Sequence, residues 1–175
     1  AIMKHTYKAL IAITFFWWIA LEATAQGHEE FTFPEATFPQ EHCLALNIYF
    51  EARSSNLADK YAVADVVLNR VRDTRFPTTI CEVVKEGLYD SNGHPRRNKC
   101  QFSWWCDGKK DHPNNEDRWV EAQTIAWSII KWDKYRGLTE GATHYHATYV
   151  RPAWRKDRGM QLIGRIGAHI FYRWE

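Results

Sequence analysis

The sequence lacks the motifs of several common functional classes. It has no glycine-rich phosphate loop and no internal repeat, which argues against a nucleotide-dependent enzyme and against a repeat architecture. Its four cysteines form no C-x-x-C pair and its eight histidines form no H-E-x-x-H motif, so the usual zinc signatures are missing. The formal net charge is only +2, and the sequence therefore predicts neither a nucleic acid nor a strongly acidic partner.

Aromatic residues, in contrast, are abundant. The chain has nine tryptophans in 175 residues, more than the packing of one core commonly uses. A chain of this length forms one compact domain with room for a short appendage. We therefore expect a single domain in which some indole rings face a ligand.

The N-terminal region has a short apolar run. Lys4 and Lys8 precede an uncharged segment at residues 9–21, and Ala-Thr-Ala at residues 23–25 provides small side chains for cleavage. A membrane span needs about 20 apolar residues, so this run is short for one. We predict that residues 1–25, with Met3 opening the motif, are a signal peptide that directs export to the periplasm or the cell exterior. A phage-encoded protein with a releasable anchor is the alternative.

The rest of the chain favours helices first and strands afterwards. Residues 26–40 contain two Phe-Pro steps without periodicity and are predicted to be a linker before a single domain at residues 41–175. Apolar spacing and capping residues predict four helices, at 41–53, from Asn56 to before Phe76, at 79–87 and at 119–137. A loop is predicted at 88–118, with a short strand near 101–104. Two further strands are predicted at 143–150 and 168–173. This order indicates an α+β fold, a helical layer packed with a small antiparallel sheet.

Glu51 is the first candidate for chemistry. Leu44 and Ile48 define one face of the first helix, and helical geometry places Glu51 on that same apolar face. Loss of hydration there raises the pKa of a carboxyl group, which then holds a proton at neutral pH as a general acid must. The alternative is a structural Glu paired with Arg53.

The second candidate is a tryptophan-containing segment, Gln101-Phe102-Ser103-Trp104-Trp105. Flat aromatic faces stack on sugar rings, while neighbouring polar groups bind hydroxyls and acetamides. The alternative is a buried aromatic plug. Because side chains alternate along a strand, at least one of the two indoles is expected to be accessible.

All four cysteines follow the predicted signal peptide. An even number in an exported chain indicates two disulfides, for which three pairings are possible. The most economical pairing joins Cys100 to Cys106 and Cys43 to Cys81, because small loops close at a low entropic cost.

Three histidines offer a rival chemistry. His144 and His146 fall on one face of a predicted strand, and His169 lies on a later strand, so a three-histidine zinc site is geometrically possible. Such a site would belong to an amidase or peptidase that cuts the peptide stems of the cell wall. Hydrogen-bonded structural or substrate-contacting histidines are the alternative.

At this level of detail the sequence resembles the SleB/CwlJ-type cell-wall hydrolases, in order from about residue 42 to residue 173. The blocks that carry the resemblance are Cys43-Leu44-Ala45-Leu46-Asn47-Ile48-Tyr49-Phe50-Glu51-Ala52-Arg53, Val67-Leu68-Asn69-Arg70-Val71, Phe76-Pro77, Cys100-Gln101-Phe102-Ser103-Trp104, Gly141-Ala142-Thr143-His144-Tyr145-His146, Pro152-Ala153-Trp154 and Ile166-Gly167-Ala168-His169-Ile170-Phe171-Tyr172. Many ordered blocks are more specific than any one of them.

The resemblance implies a lysozyme-like catalytic domain that acts on peptidoglycan as a lytic transglycosylase, without a metal or other cofactor. The Glu of the Tyr-x-Glu-Ala-Arg string is the catalytic residue of that family and corresponds to Glu51. It would protonate the oxygen between N-acetylmuramic acid and N-acetylglucosamine, then act as a base while the C6 hydroxyl closes a 1,6-anhydro ring. Hydrolysis in the manner of a muramidase is the alternative outcome.

The implied partner is the glycan strand, bound by a monomer that meets the membrane only through its signal segment. Because a polymer cannot be enclosed, we expect Glu51 on the floor of an open groove, with Trp104 or Trp105 in one wall and residues 144–146 in the other. A non-catalytic glycan-binding module is the alternative from another functional class. The predicted substrate-binding residues are Tyr49, Gln101, Phe102, Ser103, Trp104, Trp105, Thr143, His144, Tyr145, His146 and Trp154.

Overall fold

The computed structural model of the protein describes residues 34–175. The predicted signal peptide and the first part of the predicted linker lie outside these residues. Within them, no helix is both long enough and apolar enough to cross a membrane.

The helical layer is built around the first helix. Helix α1 spans Pro39–Ala52 and packs on α2 (Leu57–Arg72), α3 (Ile80–Val84) and α4 (Glu116–Trp132). The α2 helix begins where the predicted cap lies, since the Asn56 side chain accepts a hydrogen bond of 2.9 Å from the backbone N–H of Asp59. Buried apolar side chains of all four helices form the main core.

Both disulfides lie in the part of the domain that precedes α4. Cys43 of α1 pairs with Cys81 of α3, and Cys100 pairs with Cys106. These are the pairs that loop length favoured, and no free cysteine is present among residues 34–175. The first bridge ties α3 onto the central helix, and the second closes a short surface turn.

The segment before α4 differs from the prediction of one loop with a strand near residues 101–104. Strands β1 (Gly87–Tyr89) and β2 (Pro95–Cys100) form an antiparallel hairpin. The predicted strand is instead a 3-10 helix at Ser103–Cys106, because the six-residue disulfide loop requires a tight turn. Helix α4 also ends earlier than predicted. Its last residue is Trp132, and Asp133 follows in the left-handed conformation, four residues before Gly137, which also has a positive φ.

A three-stranded antiparallel sheet completes the fold. Its strands are β3 (His144–Ala147), β4 (Met160–Ile166) and β5 (His169–Trp174), in the order β3-β5-β4. The sequence pattern missed β4, which is largely exposed and is interrupted by a register shift near Gly164. Phe171 of β5 is fully buried against Ala62 and Val66 of α2, so the sheet packs on the helical layer and the α+β prediction is confirmed.

Candidate active site

Glu51 lies in the last turn of α1. Ile48 and Leu44, one and two turns earlier, are fully buried, whereas Glu51 on the same stripe is half-buried. Burial raises the pKa of the Glu51 carboxyl, and this effect outweighs the lowering by a hydrogen bond from Tyr145 and by the charges of His169 and Arg70. The carboxyl group is therefore biased towards its protonated form.

Tyr145 of β3 reaches Glu51 from the sheet. Its hydroxyl donates a hydrogen bond of 3.2 Å to Glu51 Oε2. Burial, together with the neighbouring Glu51 carboxyl, raises the pKa of Tyr145 well above its ordinary value, so the phenol stays a donor. The catalytic candidate is thus held between the helical layer and the sheet.

Arg70 of α2 provides a buried positive charge beside this pair. Its Nε donates 2.7 Å to the carbonyl of Thr143, just before β3. Its guanidinium carbon lies 5.1 Å from the ring centres of both Phe76 and Phe102. One terminal nitrogen, Nη1, is buried without a hydrogen-bond partner among the described residues. A cation so placed favours the ionised form of a nearby carboxylate.

A buried Asp–His pair adjoins Tyr145. His169 Nδ1 is 2.8 Å from Asp59 Oδ1, and both side chains are buried. The His169 ring meets the Tyr145 ring edge-on, with 5.1 Å between ring centres. Sheet register explains this contact, because Tyr145 and His169 lie on the same face of neighbouring strands.

The predicted tryptophan wall is only partly available. Trp104 is 7% exposed, stacks on Phe50 and donates 3.0 Å from Nε1 to Asn47 Oδ1, so it is a core residue rather than a sugar platform. The indole of Trp105 is half-buried, and its Nε1 donates to the Tyr89 hydroxyl. Of the two indoles, Trp105 is the more accessible one. The side chains of Trp104 and Trp105 point in different directions because both lie in a 3-10 helix, not because they alternate along a strand.

The other predicted residues of this segment divide by exposure. Phe102 is buried beside Arg70, which excludes it from direct stacking on a sugar ring. Gln101 and Ser103 are exposed and remain candidates for polar contacts with a ligand.

Tyr49 is not available to a substrate. It is fully buried, and its hydroxyl donates 2.9 Å to Asn114 Oδ1 while accepting from the backbone N–H groups of Asn114 and Asn115. Two residues along a helix differ by about 200° in direction, so Tyr49 points away from Glu51. Its role is to anchor the segment before α4.

A cavity of about 550 Å³ lies on this far side of α1, lined in part by His42, Leu46 and Trp119. His42 and Leu46 belong to the same helical face as Tyr49, opposite to Glu51. The cavity is therefore separate from the Glu51 site.

The histidines of β3 also face away from Glu51. Side chains alternate along a strand, so His144 and His146 lie on the face opposite to Tyr145. There they contact Trp154, at ring distances of 5.4 and 5.7 Å, and burial lowers the pKa of His144 to about 4. Thr143 is buried, and its carbonyl accepts a hydrogen bond from Arg70. Of residues 144–146, only Tyr145 lies on the side of β3 that faces Glu51.

The same strand register argues against a zinc site formed by His144, His146 and His169. His169 lies on the Tyr145 face, whereas His144 and His146 lie on the other, so the three imidazoles cannot converge on one ion. Over residues 34–175, no group of three or more His, Cys, Asp or Glu side chains has the arrangement of a metal site.

Comparison with known proteins identifies the family. A family model described as Cell Wall Hydrolase matches residues 54–172, more than half of the chain. The chain belongs to the cell wall hydrolase family. The matched region of this cell wall hydrolase begins after Glu51, so it includes Tyr145, Arg70 and the Asp59–His169 pair but not α1.

Two solved structures resemble this cell wall hydrolase. The catalytic domain of the germination-specific lytic transglycosylase SleB from Bacillus anthracis is 27% identical, with a TM-score of 0.53, and the match covers 77% of this chain and 93% of that one. The catalytic domain of the Bacillus cereus SleB protein is 26% identical, with a TM-score of 0.51, over 77% of this chain and 91% of that one. A search of curated protein sequences gives no match. The family is one of enzymes, which disfavours the alternative of a non-catalytic binding module.

The sequence alone assigned no role in the site to Arg70 or Asp59, although one pattern could have marked Arg70. Val63, Val67 and Arg70 follow the same i, i+4, i+7 spacing as Leu44, Ile48 and Glu51. A charged residue on an apolar stripe is therefore the signal in both α1 and α2 of this cell wall hydrolase.

Proposed function

We propose that this protein cleaves the glycan strands of peptidoglycan between N-acetylmuramic acid and N-acetylglucosamine, with Glu51 as the general acid. The observation that carries the proposal is the half-buried Glu51 carboxyl, whose pKa is raised by burial and which accepts a hydrogen bond from Tyr145. A protonated carboxyl at neutral pH is what cleavage of a glycosidic bond requires. The family match supports the cell wall as the substrate.

The reaction proceeds in two proton transfers. Glu51 gives its proton to the glycosidic oxygen while the bond from that oxygen to C1 of N-acetylmuramic acid breaks. The C6 hydroxyl oxygen then bonds to C1, and its proton passes to the Glu51 carboxylate, which restores the acid. The charges of Arg70 and His169 face the carboxylate during the interval when it is ionised.

A lytic transglycosylase needs one carboxyl group, whereas an inverting hydrolase positions a second one for water. Among residues 34–175, the groups that interact with Glu51 are Tyr145, His169 and Arg70, and none is a carboxylate. The lytic transglycosylase title of the Bacillus anthracis relative supports the anhydro product.

Mass spectrometry of the fragments released from purified sacculi tests the proposal. We expect disaccharide-peptides ending in 1,6-anhydro-N-acetylmuramic acid, lighter by one water than hydrolysed products. Reducing-end N-acetylmuramic acid would instead indicate a muramidase. Free stem peptides with intact glycan strands would contradict glycosidase activity.

Tyr145→Phe tests the hydrogen bond to Glu51. The bond lowers the pKa of Glu51, so its loss raises that pKa. An acid works only while protonated, and activity falls as pH rises through its pKa. The basic limb of the kcat profile is therefore expected to move to higher pH, while the maximal kcat falls about 10- to 100-fold because the carboxyl is less well oriented. An unchanged basic limb would contradict a direct contact between Tyr145 and Glu51 in solution.

We also place the protein in an oxidising compartment, in the periplasm or outside the cell, as a monomer acting on the wall. The two disulfides support this location, since such bonds persist mainly in exported proteins. Action on the cell wall requires it as well.

A further inference from the structure

The Asp59–His169 pair is buried, and hydrogen bonds fix both carboxylate oxygens of Asp59. Asp59 is fully buried in the first turn of α2. Its Oδ1 pairs with His169 Nδ1 at 2.8 Å, and its Oδ2 accepts 3.1 Å from the backbone N–H of Ala168. Both carboxylate oxygens are thus fixed by adjacent residues of β5 and the turn before it.

The turn between β4 and β5 approaches Asp59 unusually closely. Gly167 adopts a φ of +56°, and a Cβ atom at this position would lie 2.6 Å from Asp59 Cβ. Only glycine permits this combination of backbone conformation and proximity. This close approach places His169, two residues later, next to the Asp59 carboxylate. The backbone conformation of the turn therefore allows the Asp59–His169 pair to form.

The pair also adjoins the catalytic candidate. The His169 ring contacts the Tyr145 ring, and the Tyr145 hydroxyl donates to Glu51. The titratable and charged groups around Glu51 are Tyr145 from β3, His169 from β5 and Arg70 from α2. Glu86 faces Arg70, and Asp59 faces His169.

We propose that the Asp59–His169 pair is a positioning device for Glu51, which holds the Tyr145 ring in place and presents a positive charge to the Glu51 carboxylate after proton transfer. This inference rests on the proposed function, because it assumes that Glu51 is the acid. Neither residue is required to touch the substrate.

Charge balance explains why the imidazole is the source of this positive charge. A fully buried carboxylate needs a compensating partner, and the hydrogen-bonded partner of Asp59 that can carry a full charge is His169. The His169 ring, with its Nδ1 held by Asp59, contacts the Tyr145 ring, whose hydroxyl donates to Glu51. When Glu51 loses its proton to the leaving group, the new negative charge then meets a preorganised cation.

His169→Gln and Asp59→Asn test the proposal through the pH profile of kcat. His169 lowers the pKa of Glu51, so removing it raises that pKa and moves the basic limb of activity to higher pH. Maximal kcat is expected to fall about 10- to 100-fold, with KM changed less than about threefold, because orientation rather than binding is lost. Asp59→Asn should shift the limb in the same direction, since His169 loses the carboxylate that holds its ring beside Tyr145.

His94→Gln is the matched control, because His94 is an exposed histidine that pairs with Asp90 in the β1–β2 hairpin. Its profile should match that of the wild type. A merely structural role of His169 would lower the melting temperature and scale activity equally at every pH, without moving the limb. That result in both His169→Gln and Asp59→Asn would overturn the inference.

A measurement on the wild-type protein covers the case in which the variants do not fold. NMR of the wild-type protein is expected to show nuclear Overhauser effects between the ring protons of Tyr145 and His169, because the two ring centres lie 5.1 Å apart. Absence of these effects would refute the positioning contact. Retained activity in Glu51→Gln would instead overturn the proposed function itself, so the two failures are distinguishable.

Discussion

Glu51→Gln is expected to lose peptidoglycan cleavage by about two to four orders of magnitude, the range for removal of a general acid. The amide has nearly the same shape and can still accept the Tyr145 hydrogen bond of 3.2 Å, but it has no proton to give to a leaving oxygen. The comparison should use initial rates of muropeptide release from sacculi at the optimal pH of the wild type.

Stability provides the control for this loss. Burial raises the pKa of Glu51 in the folded protein, so ionisation at neutral pH opposes folding, and a neutral amide removes that penalty. Glu51→Gln should therefore melt at the same temperature as the wild type at pH 7, or higher. Glu140→Gln, which changes an exposed carboxyl, should retain full activity.

Chelation distinguishes this acid mechanism from metal chemistry. Activity is expected to survive EDTA, because neither proton transfer at Glu51 uses a metal ion. Loss of turnover in EDTA with recovery on adding zinc, or an active Glu51→Gln, would refute the assignment of Glu51.

The second large effect is expected from the Cys43–Cys81 bridge. Replacing both cysteines by alanine should lower the free energy of unfolding by about 4 kcal/mol, because the bridge closes a loop of 38 residues that is otherwise free in the unfolded chain. Cys43 is also only 1% exposed, so the shorter side chain leaves space next to the core. Urea unfolding of protein purified without reductant measures the difference.

The Cys100–Cys106 bridge serves as the internal comparison. It spans six residues, and its removal should lower the free energy of unfolding by only about 2 kcal/mol. Non-reducing peptide mapping should find both bridges and no free thiol in the exported protein. Equal losses for the two double variants, or four reactive thiols, would contradict this account.

Much of the helical layer was predictable from short stretches of sequence. The Asn56 cap, the apolar stripes of α1 and α2 and the position of Glu51 all follow from residues within two helical turns of each other. The pairing of the cysteines followed from loop length alone. These features depend on local geometry, which the order of residues expresses directly.

The tryptophan segment shows where such reasoning failed. Treating residues 101–104 as a strand predicted alternating directions for Trp104 and Trp105, but the strand ends at Cys100 and a 3-10 helix follows. The burial of Trp104 depends on a distant partner, Asn47 of α1. Tyr49 likewise is buried by the segment at Asn114 and Asn115.

The sequence by itself determined the fold class, the capped helices and a carboxylate on an apolar helical face. Only the tertiary structure decided which groups meet that carboxylate, since Tyr145 lies 94 residues from Glu51 and His169 lies 110 residues from Asp59. The physical reason is strand register: pairing Tyr145 with Phe171 and Ala147 with His169 puts Tyr145 and His169 together and turns His144 and His146 away. A slip of one residue would reverse every one of these directions, and packing across the whole domain sets that register.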